Sequence, residues 1–134
     1  MSQQNVEALR DVFDAFNSGD LDRIVAFTHP DFEGVVPPEL SAEPDIYRGH
    51  DGIRRYFQSF EEAMAEIRFH EDRLWDVGDS VVVAVRLTAE GRQTAIPVEQ
   101  QFALAWTFRD GRAVRVQAYA TLSQALESVG LTEE

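Results

Sequence analysis

The chain has 134 residues, 44% of them hydrophobic, with nine Phe and no Cys; this is one domain with enough apolar residues for a core, and it excludes a disordered chain, a disulfide framework and thiolate chemistry. Its formal net charge is −12, from 24 acidic against 12 basic residues, so neither nucleic acid nor an anionic membrane is an expected partner. No apolar run is long enough to span a bilayer, and the opening Met-Ser-Gln-Gln-Asn-Val-Glu has none of the regions of a signal peptide, so a cytoplasmic location is expected.

Val6, Leu9, Val12, Phe13 and Phe16 recur at three-and-four spacing, which predicts an amphipathic helix stopped at Asn17-Ser18-Gly19. Asp20 then caps a second helix carrying Leu21, Ile24, Val25 and Phe27, closed by Pro30. Asp31 to Val36 reads as a short strand, and Pro37-Pro38 opens a polar loop that runs to Pro44. Gly49-His50-Asp51-Gly52 starts a third helix with Ile53, Tyr56, Phe57 and Phe60 on one side.

After Met64 the period becomes alternating. Ile67, Phe69 and Leu74-Trp75 belong to a second strand, and Asp79 to Thr88 form a third, with Val81, Val83, Val85 and Leu87 on one face. A turn at Glu90-Gly91-Arg92 leads to a fourth strand, Gln100 to Phe108, with Gln100, Phe102, Leu104, Trp106 and Phe108 facing one way. Arg109-Asp110-Gly111-Arg112 is a strong hairpin signal. Val114, Val116, Ala118 and Ala120 continue the inward face of a fifth strand, and a short helix from Leu122 to Val129 ends at Gly130. With no linker or repeat, residues 1–134 form a single domain. Long antiparallel strands coil, and helices packed on the concave face make an α+β cone around one mainly apolar pocket.

These segments resemble the NTF2-like superfamily, in its SnoaL-like and ketosteroid-isomerase-like branch. The resemblance rests on Phe13-Asp14-Ala15-Phe16-Asn17-Ser18-Gly19-Asp20-Leu21-Asp22, Pro30-Asp31-Phe32-Glu33, Tyr47-Arg48-Gly49-His50-Asp51-Gly52-Ile53 and Trp106-Thr107-Phe108-Arg109-Asp110-Gly111-Arg112. The ending, Gln124 to Leu131, is similar to that of many uncharacterised bacterial members. The likeness covers nearly the whole chain. It implies a strongly curved antiparallel sheet with three helices on its concave face, and a homodimer through the convex one. It does not imply one activity, since the superfamily hosts isomerases, cyclases, epoxide hydrolases and binding proteins.

Ketosteroid isomerases use an Asp base, with a Tyr and a protonated Asp as oxyanion hole. In this alignment of motifs Val12 replaces the Tyr, Val36 the base and Leu104 the protonated Asp. None of the three can move a proton, which excludes that mechanism. The acid of the cyclase-like members has Thr121 as its nearest match, again without a carboxylate. No inward Asp-Arg-Asp set of the limonene epoxide hydrolase kind occurs, because Arg86 has the parity of the outer face.

Glu33 is the candidate catalytic residue: beside apolar walls its carboxylate could act as a base, although its parity is opposite Phe32 and Val36. Gln100 is the candidate amide for orienting a ligand, against the plainer reading of strand-end solvation. Tyr47 and Tyr56 offer phenols, though Tyr is also a routine wall residue. Val12, Phe16, Val36, Phe57, Phe102, Leu104 and Trp106 complete the expected lining. His29, His50 and His70 lack metal-ligand spacing, so no metal and no cofactor is expected. Two functions stay open: a pocket that binds a small apolar or aromatic molecule and isomerises, cyclises or hydrates it by general acid–base chemistry, and a non-catalytic binding or dimerisation module.

Overall fold

A computed structural model describes residues 2–36 and 45–131. Helices α1 (Ser2–Ser18) and α2 (Leu21–Ala26) are followed by strands β1 (Thr28–Val36) and β2 (Asp45–Arg48), then α3 (Gly49–Ala63). The long strands β3 (Met64–Val77), β4 (Ser80–Gly91), β5 (Pro97–Arg109) and β6 (Arg112–Tyr119) come next, and α4 (Leu122–Ser128) closes the chain. The six strands form one curved, unclosed sheet in the order β2-β1-β6-β5-β4-β3, parallel only between β1 and β6. The expected α+β cone is the observed architecture. The part of the expected loop from Pro37 to Pro44 lies outside the described residues.

Alternation fixes which side chains face in. Val81, Val83, Val85 and Leu87 on β4, with Leu104, Trp106 and Phe108 on β5, are buried in one cluster with Leu9, Val12, Phe13 and Phe16 of α1 and Ile53, Tyr56 and Phe57 of α3. Each such large apolar side chain contributes about 1.5–3 kcal/mol when taken fully out of water. Aromatic rings knit the layer together: Phe16 meets Phe57 and Phe69 at ring separations of 5.6 Å each. Asp20 caps α2 as expected, accepting from Arg23 N at 3.2 Å.

Four details depart from the sequence reading. α2 ends at Ala26 and β1 begins at Thr28, so Pro30 lies within the strand and does not close the helix. Strand β2 is additional; it pairs with β1, placing Glu33 opposite Arg48 and Gly34 opposite Tyr47. In β6 the inward residues are Ala113, Val116 and Ala118, because the pairing shifts between Thr107 and Phe108 and leaves Val114 without a counterpart. A bulge of this kind flips the parity of everything beyond it. Finally, α4 packs on the opposite face of the sheet from α1 and α3. Ala125 and Leu126, with Leu122 and Val129, cover Val82, Ala103, Ala105, Trp75 and Tyr119. Those strand residues alternate with the inward ones, so the outer face has an apolar patch of its own.

Candidate functional site at the mouth of the cone

Helices α1 and α3 both end over the beginning of β3, and a cavity of about 160 Å³ opens there. Phe16 and Phe57 line it together with Met64 and Ile67. Asn17, Ser18 and Gly19 form a second wall, and Glu61, Glu66 and Arg92 contribute charged groups.

Local sequence explains how these elements meet. Asn17, at the end of α1, uses its side-chain amide as if it were a neighbouring strand: Phe69 N donates to Oδ1 at 2.7 Å and Nδ2 donates to Phe69 O at 3.1 Å. Since β3 is the sheet's edge, this satisfies backbone groups that no strand reaches. Arg68 Nη1 donates to Asn17 O at 2.6 Å, fastening the same joint. On the other side Arg92 donates to the carbonyls of Glu61 and Met64, at 2.5 and 3.2 Å. A guanidinium there satisfies helix-end carbonyls and offsets the negative end of the α3 dipole. Ala65 pairs with Glu90 and Arg68 with Thr88, so Glu66 and Ile67 together oppose a single residue. Glu66 has φ +54 within this bulge.

The expected lining is distributed over the inner layer. Phe16 and Phe57 reach the cavity. Val12, Tyr56, Leu104 and Trp106 are buried deeper in the same cluster, with Val36, Tyr47 and Phe102 half-buried against it. Gln100 is exposed on β5, although its partner Leu87 on β4 is fully buried. Tyr47 and Tyr56 pack at a ring separation of 5.3 Å, and the Arg55 guanidinium lies 5.0 Å from the Tyr47 ring. Burial, reinforced by the neighbouring Tyr47, raises the Tyr56 pKa well above that of an ordinary phenol, so the group persists as a neutral donor. The buried Trp106 Nε1 has no hydrogen-bond acceptor; its ring meets Phe13 edge-on at 6.4 Å and stacks on Phe108.

Glu33 lies elsewhere. Its carboxylate is 3.1 Å from Arg48 Nη1 and 3.5 Å from Arg115 Nε, and its parity is opposite that of the buried Phe32. β2 and β6 supply one guanidinium each, which a reading without β2 could not anticipate. Thr121 is the N-cap of α4, accepting from Gln124 N at 3.2 Å while Gln124 Oε1 accepts from Thr121 N at 3.3 Å. Of the histidines, His50 Nε2 lies 2.9 Å from Thr28 O and His70 Nε2 lies 3.0 Å from Thr88 Oγ1. Among the described residues no cluster of acidic and His side chains is arranged to hold a metal ion.

Glu61, Glu66, Asn17 and Arg92 are the site residues that sequence reasoning missed. Periodicity assigns Glu61 and Arg92 to a helix end and a turn, and it carries no signal that the two converge.

A model of the SnoaL-like domain matches residues 9–116. The chain belongs to the SnoaL-like domain family. Solved structures agree on the fold. An NTF2-like protein of unknown function from Burkholderia pseudomallei is 22% identical, with 95% of this chain and 98% of that one covered and a TM-score of 0.77. TerC, co-crystallised with polyporic acid, is 24% identical over 94% and 97% of the two chains, with a TM-score of 0.78. A protein with a ketosteroid isomerase-like fold from Catenulispora acidiphila, in complex with trimethylamine, is 15% identical over 93% of each chain, with a TM-score of 0.75. No curated protein matches the sequence. At these identities the structural likeness carries the SnoaL-like architecture alone.

Proposed function

We propose that this SnoaL-like protein binds one small apolar or aromatic molecule at the mouth of its cone. The observation that carries the reading is the cavity of about 160 Å³ walled by Phe16 and Phe57, two positions that periodicity and family resemblance both direct inward. One neighbour was crystallised with polyporic acid and another with trimethylamine; a shared fold accepts different ligands, and the lining selects among them. Isothermal titration or NMR shift mapping with single-ring probes tests this. Saturable binding, weakened about tenfold or more when Ala65→Phe fills the cavity, is the expected result. Unchanged binding in that variant sends the ligand elsewhere.

The lining supports binding over acid–base catalysis in the interior. Among the described residues Thr28 is the buried polar one apart from Tyr56 and Trp106, and its hydroxyl donates to Ile24 O at 2.7 Å. No described carboxylate or imidazole is buried there. Val12 and Leu104, which the resemblance puts in place of the phenol and the acid, are packed core. An isomerase, cyclase or hydratase version of the reading would depend on Glu61 or Glu66, the carboxylates at the cavity, and not on Glu33 in its pairs with Arg48 and Arg115. Loss of turnover in Glu33→Gln but not in the Glu61 and Glu66 variants would reverse that assignment.

The homodimer implied by the resemblance belongs to the same proposal. Since α4 covers Val82 and Ala103, the partner's place is the remaining outer face, where Glu33, Arg48, Arg115 and Gln117 form a polar group. Sedimentation equilibrium reads the assembly directly, and a monomer at all concentrations removes this part.

A further inference from the structure

We infer that the last turn of α1, pinned through Asn17, guards the free edge of β3 against pairing with a second copy of this chain. Among the described residues β3 and β2 are the two edges of the sheet, 14 and 4 residues long. A long edge presents a row of unpaired backbone groups, which is a template for another strand.

Register interrupts most of that row. β3 is bulged between Ala65 and Arg68 and again between Glu71 and Arg73, and bulges twist an edge away from a partner. What stays regular is the run from Arg68 to Glu71, paired with Thr88 to Val85 of β4. Its two ends carry charge, and Arg10 holds the Glu71 carboxylate at 3.0 Å. Phe69 lies inside the run, with its ring buried and its N–H and C=O both directed away from β4.

One side chain takes both groups. Phe69 N donates to Asn17 Oδ1 at 2.7 Å, and Asn17 Nδ2 donates to Phe69 O at 3.1 Å. An antiparallel neighbour would make the same two bonds, since a hydrogen-bonded pair of residues exchanges both N–H···O contacts. A second copy fits that place through a two-fold axis at Phe69, which pairs the run with itself. The amide thus fills the seat from which an intermolecular sheet would grow, and Arg68, donating to Asn17 O at 2.6 Å, holds the helix end there. This guard acts whatever the mouth cavity binds. It also stands apart from a dimer through the outer face beside β1 and β2, at the other end of the sheet.

Hydrogen exchange at the Phe69 amide, followed by NMR, reads the edge directly. In the unaltered protein its rate should not depend on protein concentration. In Asn17→Ala it should be about tenfold slower at about 1 mM than at about 10 μM, as weak strand pairing covers the edge again, and sedimentation velocity should show a matching larger species. Asn17→Ser is read in the same way if the alanine variant lacks a melting transition. Asn17→Asp keeps the acceptor for Phe69 N, loses the donor, and sets like charges against each other wherever two such edges meet. It should lose stability and yet exchange at a rate independent of concentration. A concentration-independent rate in both Asn17→Ala and Asn17→Ser overturns the inference. So does association of Asn17→Asp to the same extent, which would trace the effect to lost stability and not to the edge.

Discussion

Single side chains at the end of α1 and in the inner layer hold this structure together in ways that can be tested separately. Asn17 supplies both partners for the backbone of Phe69, and removing it strands a donor and an acceptor at the joint between helix and sheet edge. Asn17→Ala should therefore cost about 1–3 kcal/mol in chemical denaturation. A loss below ~0.5 kcal/mol would show that water replaces the amide. Tyr56 offers a pH test. Its folded pKa lies above the ordinary 10.0, so the folded chain keeps a proton that the unfolded chain releases above that pH. The stabilisation is complete below about pH 10 and is lost as pH rises through the folded pKa. Melting temperatures should fall more steeply above pH 10 in the unaltered protein than in Tyr56→Phe. Identical slopes would assign the alkaline loss to other groups.

The elements owe their positions to close approaches that helix and strand propensity do not encode. Gly52, in the first turn of α3, lies so near β2 that a Cβ there would be 2.6 Å from the Tyr47 carbonyl carbon. That contact gives a physical reason for Gly in the segment Tyr47 to Ile53 on which the family resemblance rests. Gly52→Ala should lower stability by about 1–3 kcal/mol through overpacking, measured as a shift in denaturation midpoint; an unshifted midpoint would mean that β2 yields freely. The bulge in β3 predicts the opposite sign. Glu66 holds φ +54, which costs an L-residue roughly 1–2 kcal/mol relative to Gly, so Glu66→Gly should raise the midpoint. Turns were the most legible elements. Asp110-Gly111 between alternating strands reads as a primed turn, and both residues have positive φ, at 56° and 76°.

For the molecule as a whole, charge and topology act at different ranges. A net charge of −12 opposes the compact state by self-repulsion. Moderate salt should therefore raise the melting temperature, and a flat response would mean that ion pairs such as Arg10–Glu71 at 3.0 Å already balance the field.

From sequence alone came the helices, the long strands, the inward sets on β4 and β5, and the aliphatic Val12 and Leu104 in place of proton-moving groups. The elements and inward sets follow from local period and residue chemistry, and the reading of Val12 and Leu104 follows from the family resemblance. Sequence did not assign β2, the shifted register of β6, the outer seat of α4, the ion pairs of Glu33 or the meeting of Glu61, Glu66 and Arg92 at one cavity. Each depends on which distant segment lies alongside. A bulge leaves the composition of its own strand ordinary while reversing the faces of the residues beyond it, so only tertiary pairing decided them.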